Sequence, residues 1–238
     1  MEQMQRSPNP LPPPALRFRV HGEFDQGSFL QVGKRCAADV RALLGSVGRD
    51  FQAGDRILDF GCGCGRTLLH IKDEASRCVV VGCDIDVEAI AWCRQYLRFA
   101  RFEVNSSLPP APFEANSFDV LYAVSVFTHL DEARQLAWLG EMRRLLRPGG
   151  VAVVTTHGPS TYSFFSEVER AILSDKGFLF RVSETGWAKL DGLPDYYQSA
   201  YQSSEYVFRE WSRYFEIVEY VERGVNGHQD AFILRKSS

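Results

Sequence analysis

The stretch Asp59-Phe60-Gly61-Cys62-Gly63-Cys64-Gly65 decides how the rest of the chain is interpreted. It ends a short apolar run, Arg56–Phe60, and precedes a segment, Thr67–Asp73, whose pattern predicts a helix. Glycines at alternate positions let the main chain turn sharply and approach a ligand without an obstructing Cβ. We therefore interpret this stretch as a ligand-binding turn at the carboxyl end of the first strand.

Short apolar runs and longer amphipathic segments alternate after that turn. The short runs are rich in β-branched residues and predict strands, whereas the longer segments repeat their apolar residues at helical spacing. Apolar strands that alternate with helices indicate a parallel sheet covered on both faces, so we predict a doubly wound α/β fold. The predicted strands are 56–60, 78–83, 101–105, 118–124 and 151–156 with a closing antiparallel pair at 215–221 and 231–235, and the predicted helices are 28–47, 67–73, 87–99, 131–146 and 203–214.

The composition is that of a globular protein, because 45% of the 238 residues are hydrophobic and 24% are charged. No apolar run reaches the roughly 18 residues that span a bilayer, and the start lacks a signal-peptide core, so we expect a cytoplasmic protein with no membrane partner. The net charge of −3 gives no basic stripe, which argues against a nucleic-acid partner. Residues 1–14 contain five prolines and are predicted to be a disordered tail before a domain at 15–238.

The sequence of the glycine turn does not match the motifs of other ligand-binding loops well. A dinucleotide fingerprint needs Gly-x-Gly-x-x-Gly, but Gly65 comes one place early and Arg66 occupies the expected position. A phosphate loop needs a lysine that is absent here. Cys62 and Cys64 lack the spacing of a zinc site, so we predict no metal and expect six reduced thiols. An NAD(P)-dependent oxidoreductase is kept as the alternative hypothesis.

The motif Asp59-x-Gly61-x-Gly63-x-Gly65 resembles motif I of the class I S-adenosylmethionine-dependent methyltransferases. The resemblance covers about residues 28–157 and the closing strand pair. It implies a Rossmann-like, mostly parallel seven-stranded sheet with an antiparallel C-terminal strand and an insertion after the fifth strand. The later segments that resemble the family are Gly82–Asp84, Ser117–Tyr122, Ser125–Leu130 and Leu145–Gly150.

The resemblance also implies S-adenosyl-L-methionine as the cofactor. Asp84 would accept hydrogen bonds from the ribose hydroxyls, and Asp59 would lie near the cofactor's amino group. Asp86 is expected to cap the following helix instead of binding ribose. Many family members carry an aspartate where this chain has Asn105, whose amide can still bind the adenine edge. The predicted cofactor-binding residues are Asp59, Gly61, Cys62, Gly63, Gly65, Asp84, Ile85, Asn105, Ser106 and Ser125.

Much of the rate of the reaction implied by the resemblance can come from proximity and alignment, so the absence of an obvious catalytic triad or dyad does not argue against this class. A base is required only where the acceptor loses a proton. His157, after the fifth strand, and His129, after the fourth, are the candidates for a base or an acceptor-orienting group, and a structural role is the alternative for each. Arg35 is a candidate for the cofactor's carboxylate, with a surface arginine as the alternative.

Residues 158–200 interrupt the alternation of strands and helices and are predicted to form a lid or an acceptor-binding insertion. The core of a small helical cap is the alternative for their aromatic side chains. We expect a small-molecule acceptor, with O-, N- and C-methylation all open, and keep a non-catalytic cofactor-binding module as a third hypothesis. The aromatic candidates for the acceptor site are Tyr162, Trp187, Tyr196, Tyr197 and Tyr201.

Overall fold

The computed structural model describes residues 10–182 and 193–237. Within these ranges the chain forms alternating strands and helices, with two short 3-10 segments after the first strand. The strands are β1 (Arg56–Phe60), β2 (Val79–Asp84), β3 (Arg101–Val104), β4 (Phe118–Ala123), β5 (Leu146–Thr156), β6 (Phe178–Arg181), β7 (Ser199–Gln202), β8 (Glu216–Val225) and β9 (Gln229–Arg235). The α-helices are α1 (Pro14–His21), α2 (Gln26–Ser46), α3 (Val87–Tyr96), α4 (Glu132–Leu145), α5 (Glu167–Lys176) and α6 (Ser204–Trp211).

Seven of these strands form one sheet in the order β3-β2-β1-β4-β5-β9-β8. Strands β1 to β5 run parallel, β9 is antiparallel to β5, and β8 is antiparallel to β9. This arrangement confirms the predicted doubly wound, mostly parallel fold with an antiparallel strand near the C-terminus. The winding reverses between β1 and β4, and in such sheets a ligand crevice lies beyond the carboxyl ends of the strands at that point.

Helices cover both faces of the sheet and bury their apolar stripes against it. Leu44 of α2 and Ile90 of α3 belong to the core on one face, whereas Leu139 of α4 and Trp211 of α6 belong to the core on the other. All of β4 except Asp119 is buried, because the strand lies inside the sheet and is covered on both faces. The loops at the carboxyl edge of the sheet are therefore attached to strands that are packed on both faces.

Two local predictions were wrong. Residues 67–73 do not form an α-helix but lead into 3-10 segments at Leu68–His70 and Lys72–Ser76. Leu68 and Ile71 are both buried, and a three-residue spacing suits the tighter 3-10 geometry. The predicted tail also extends one residue too far, because α1 begins at Pro14, where proline is tolerated in a first turn.

The predicted insertion at 158–200 contains more regular structure than the sequence indicated. Helix α5 begins with a capping box between Ser166 and Glu169, and β6 and β7 form an antiparallel pair separate from the main sheet. Trp187 lies outside the described residues. The described part of the insertion thus contains a short 3-10 segment at Pro159–Thr161, helix α5 and an antiparallel strand pair.

Across residues 10–182 and 193–237, none of the helices combines the length and the apolar character needed to cross a bilayer. The six cysteines are free thiols, and all of them are buried.

Helix α4 provides a test of local stability. Asp131 precedes the helix, and its carboxylate accepts a hydrogen bond of 2.9 Å from the main-chain N–H of Arg134. Asp131→Ala should lower the free energy of unfolding by about 1 kcal/mol, because that N–H loses its cap. Asp131→Asn keeps an oxygen in place and should lose less. Urea unfolding measures both, and an alanine variant as stable as the wild type would contradict the capping role.

Candidate active site

The turn after β1 forms one wall of a crevice at the carboxyl edge of the sheet. Gly61 and Gly63 have φ values of 76° and 52°, a region that favours glycine. A Cβ on Gly61 would collide with Val126, and one on Gly63 would collide with Val20 of α1. Both glycines are therefore required by backbone conformation and by the closeness of the opposite wall.

This crevice, which we call the glycine cleft, encloses about 970 Å³ of space including its open mouth. The cleft is assembled from the ends of β1, β2, β3 and β4 together with α1 and the segment after residue 192. Its predicted lining residues are Asp59, Gly61, Cys62, Gly63, Asp84, Ile85, Asn105, Ser106 and Ser125.

Gly65 is the one predicted cofactor residue that the structure places elsewhere. It does not line the cleft, and a Cβ there would collide with Leu97 next to Cys93 of α3. The third glycine therefore allows the turn to pack against the α3 region instead of contacting a ligand.

The carboxylate of Asp84 joins the glycine turn to the end of β2. Its Oδ2 accepts a hydrogen bond of 2.7 Å from the N–H of Gly63, and its Oδ1 accepts one of 2.8 Å from the N–H of Asp86. Burial raises the pKa of this carboxyl group to about 6, although these N–H donors oppose the rise. A carboxylate can accept about four hydrogen bonds, so Asp84 keeps acceptor capacity toward the cleft.

Asp59 is the most deeply buried acid of the cleft, with 3% of its surface exposed. Burial raises the pKa of its carboxyl group to about 8, while Tyr122 and Arg66 act in the opposite direction and Asp84 adds to the rise. Its Oδ2 is buried and has no hydrogen-bond partner among the described residues. A buried oxygen in this state is prepared to accept a hydrogen bond from a cationic ligand group.

Asn105 and Asp86 follow the sequence prediction closely. Asn105 lines the cleft, its Nδ2 donates to the carbonyl of Ser106 at 2.9 Å, and its Oδ1 is buried with no partner in the described chain. Asp86 caps α3 by accepting from the N–H groups of Glu88 and Ala89, as predicted.

Two arginines of the site were missed by the sequence analysis. Arg19 of α1 lines the cleft and forms ion pairs with Asp86 at 2.9 Å and Glu88 at 2.7 Å. Arg66 lines the cleft directly after the turn, and its Nε is buried without a hydrogen-bond partner among the described residues. Arg35 is instead beside Gly227, away from the cleft. Arg66 could have been found from its position next to the third glycine.

A second cavity, the histidine cleft, adjoins the first. It encloses about 1,230 Å³ including its mouth, and Val124, Ser125 and Tyr197 are among the residues that line both cavities. Its lining includes both histidines that the sequence selected, His129 and His157. Of the aromatic candidates, Tyr197 and Tyr201 line this cavity, Tyr196 lines the glycine cleft, and Tyr162 instead donates to the carbonyl of Gln202.

Strand β7 and the residue before it hold the two histidines. His129 Nδ1 lies 2.8 Å from the carbonyl oxygen of Gln198, and His157 Nδ1 lies 3.1 Å from that of Ala200. Tyr197 stacks on His129 and Tyr201 stacks on His157, with ring centroids 4.2 and 5.1 Å apart. Burial lowers the pKa of His129 to about 4 and that of His157 to about 3, so both rings are neutral near pH 7.

Ser125, at the junction of the clefts, adopts a strained conformation with a φ of 61°. Its N–H donates to Thr155 Oγ1 at 2.8 Å, Thr155 Oγ1 donates to Gln229 Oε1 at 2.7 Å, and Gln229 Nε2 donates to Ser125 Oγ at 2.8 Å. This closed ring of hydrogen bonds stabilises the strained residue. Gln229 begins β9, far from the other site residues in the sequence, and no sequence pattern pointed to it.

The comparisons with known proteins agree with this geometry. A family model described as a methyltransferase domain matches residues 57–150. The chain is similar to the sterol 24-C-methyltransferase of Schizosaccharomyces pombe, with 34% identity over 103 residues that cover 41% of this chain and 26% of that protein. It is also similar to the malonyl-acyl-carrier protein O-methyltransferase of Halalkalibacterium halodurans, with 28% identity over 68% of this chain and 64% of that protein.

A solved S-adenosylmethionine-dependent methyltransferase from Methanosarcina mazei has the same fold, with a TM-score of 0.57 and 21% identity. The alignment covers 78% of this chain and 94% of that one. The region matched by the family model contains the glycine turn, Asp84 and Asn105 but ends before His157 and the insertion. The chain spans less than two thirds of the length of each curated relative described above.

The ring of hydrogen bonds around Ser125 can be tested by stability measurements. Gln229→Leu leaves the buried oxygens of Thr155 and Ser125 without their partner and should lower the free energy of unfolding by about 1–3 kcal/mol. The matched control is Gln95→Leu on the exposed face of α3, which should change stability by about 0.5 kcal/mol or less. Equal urea midpoints for the two variants would contradict a stabilising role for the ring.

Proposed function

Because the chain belongs to the class I S-adenosylmethionine-dependent methyltransferase superfamily, we propose that it binds S-adenosyl-L-methionine in the glycine cleft and methylates a small molecule held in the histidine cleft. Membership confirms the family resemblance drawn from the sequence and disfavours the NAD(P)-dependent alternative. The observation that carries the proposal is that the two clefts adjoin, since Val124, Ser125 and Tyr197 line both of them.

The residues of the glycine cleft fit this cofactor. The buried Oδ2 of Asp59, which has no partner among the described residues, would accept a hydrogen bond from the cofactor's ammonium group. Gly61 and Gly63 line the same cleft, where Val126 and Val20 pack closely against them. Asp84 has acceptor capacity for the ribose hydroxyls, and the buried Oδ1 of Asn105 would accept from the adenine amino group.

We assign the cofactor's carboxylate to Arg66. The amino and carboxylate groups of the methionine portion are attached to the same carbon, so their partners must lie close together. Arg66 lines the same cleft as Asp59 and acts electrostatically on its carboxyl group. A guanidinium with an unpaired nitrogen is well suited to bind a carboxylate.

The cofactor supplies an activated methyl group on a sulfonium, so the protein must above all bind and align two molecules. Ser125 lines both clefts, and its hydrogen bonds to Thr155 and Gln229 fix it at their junction. His157 and His129 line the acceptor side as neutral imidazoles. Either ring can accept a proton or a hydrogen bond from an acceptor that carries O–H or N–H.

The net charge of the chain and the name of one relative support a small-molecule acceptor over nucleic acid. The net charge of −3 provides no basic stripe for a nucleic-acid backbone, and the Schizosaccharomyces pombe relative is named for a sterol. The six buried free thiols support a cytoplasmic location.

Calorimetry with S-adenosylhomocysteine tests the cofactor site. The wild type should bind, and Asp84→Ala should bind more weakly by about 1.5–3 kcal/mol, the scale of hydrogen bonds to a charged group. Asp73→Ala, which removes an exposed carboxylate outside the cleft, is the matched control and should leave affinity unchanged. Because Asp84 also holds the glycine turn, urea unfolding of the variant separates a loss of binding from a loss of structure.

Transfer of a labelled methyl group into a small-molecule extract tests the reaction itself. Tight binding of S-adenosylhomocysteine without any transfer would favour the non-catalytic binding module. Absence of binding would contradict the proposed function altogether.

Asp59 makes cofactor affinity depend on pH. Its pKa of about 8 in the free protein means that the carboxyl group is largely protonated at pH 6.5, whereas an ammonium ligand requires the carboxylate. Affinity for S-adenosylhomocysteine should therefore fall by up to about tenfold per pH unit from pH 8 to 6.5, with release of a proton on binding. The pKa of the Asp59 carboxyl group also depends on its neighbours Tyr122, Asp84 and Arg66.

Titrations in two buffers of different ionisation enthalpy count the released protons. Asp59→Asn cannot release a proton, so its proton count and its pH dependence between pH 6.5 and pH 8 should both disappear. Equal wild-type affinity at pH 6.5 and pH 8, without proton release, would remove Asp59 from the ammonium site.

A further inference from the structure

The two histidines of the histidine cleft are held in the same way by one continuous segment, Gln198–Gln202. The main-chain N–H groups of Gln198, Ala200 and Gln202 donate to the carbonyls of His129, Thr128 and His157 respectively. On its other side, the Ser199–Gln202 part of this segment pairs with β6. The residues of a strand face opposite sides in turn, so the main-chain N–H groups of alternate residues form one edge of this segment. That edge faces the loops after β4 and β5.

The same edge determines which ring nitrogen carries hydrogen. A carbonyl oxygen only accepts, so the nitrogens that approach Gln198 and Ala200, namely Nδ1 of His129 and Nδ1 of His157, must be the donors. In a neutral imidazole the other nitrogen, Nε2, then has a lone pair and no hydrogen. No residue in the described ranges hydrogen-bonds to either Nε2.

The two rings form a pair of acceptors whose planes meet at an angle of 80°. Their centroids lie 6.1 Å apart, and both line the histidine cleft. Stacking on Tyr197 and Tyr201 restricts rotation of each ring, so the two lone pairs are held at a fixed separation. A ligand group that faces both nitrogens must therefore offer two hydrogen-bond donors.

The remainder of the cavity restricts the charge and shape of that ligand. No aspartate or glutamate of the described chain lines it, and Arg19 and Arg66 lie at its border with the glycine cleft, which disfavours an ammonium-bearing molecule. The rings of Phe164, Tyr197 and Tyr201 contribute flat apolar walls. These features select an uncharged or anionic planar molecule.

We infer that the methyl acceptor is a planar, non-cationic molecule with two O–H or N–H groups, which the paired Nε2 atoms of His129 and His157 recognise together. This inference rests on the proposed function, because it treats the histidine cleft as the acceptor side of the site. The segment Gln198–Gln202 acts as a positioning element, since its carbonyls set the tautomer of both rings.

A series of three probes tests the inference on protein saturated with S-adenosylhomocysteine. Resorcinol has two hydroxyl donors, 3-methoxyphenol has one, and 1,3-dimethoxybenzene has none, although their rings are alike. Dissociation constants from protein-observed NMR titrations should increase by about three- to tenfold for each donor that is lost. Equal affinities for the three probes would overturn the inference.

Asparagine variants separate recognition from structural support. An asparagine amide nitrogen can replace Nδ1 in the bond to the backbone carbonyl but leaves nothing at the position of Nε2. His129→Asn and His157→Asn should each abolish the preference for resorcinol over 3-methoxyphenol while S-adenosylhomocysteine binds as before. His157→Gln, which reaches the Nε2 position, should restore part of the preference, and His70→Asn, remote from both clefts, should leave it intact. If both asparagine variants still bound resorcinol more tightly than 3-methoxyphenol, the inference would be overturned.

Titrations without S-adenosylhomocysteine distinguish this inference from the proposed function. Probe binding that depends on the number of donors, in a protein that fails to bind S-adenosylhomocysteine, would refute the proposed function and keep the paired acceptors. Normal binding of S-adenosylhomocysteine with probes that bind alike would refute the paired acceptors and keep the proposed function.

Discussion

The carboxylate of Asp84 connects the parts of the molecule that form the glycine cleft. One of its oxygens holds the N–H of Gly63 and thus the turn after β1, and the other holds the N–H of Asp86. Asp86 in turn starts α3 and forms an ion pair with Arg19, which brings α1 to the mouth of the cleft. The pKa of Asp84 is raised to about 6 by burial, so these bonds are made by a carboxylate at neutral pH. Three walls of the cleft therefore depend on a single ionised group.

The two clefts differ in how they are built. The glycine cleft is formed where the winding of the sheet reverses, and its polar groups belong to loops fixed by parallel strands. The histidine cleft depends on an insertion after β5, whose strand β7 contributes no pairing to the main sheet but hydrogen-bonds to the loops after β4 and β5. The family model ends before this insertion. The sheet supplies the half of the site that falls within the family model. The insertion supplies the other half, on which the choice of acceptor is proposed to depend.

Much of the glycine cleft was predictable because its residues follow strand ends in sequence. Asp59, Asp84, Asn105 and Ser125 each come at or directly after a strand of the same parallel sheet, and parallel strands bring their carboxyl ends to one edge. The 3-10 segments after residue 67 and the packing role of Gly65 were missed, because both depend on contacts with α3 and the core that local spacing does not report. Arg66 directly follows the turn in the sequence, which was a signal for its place in the cleft, but its unpaired Nε is visible only when the cleft around it is formed.

The amino-acid sequence by itself determined the fold class, the glycine turn and most residues of the glycine cleft, because these follow from short-range periodicity and from backbone conformations that glycine favours. Only the tertiary structure decided the histidine cleft. The bonds that orient His129 and His157 join residues 69 and 43 positions apart, and the bond between Thr155 and Gln229 joins residues 74 positions apart. Interactions over such separations leave no local pattern, since their partners meet only after the sheet has formed and the insertion has folded onto its edge.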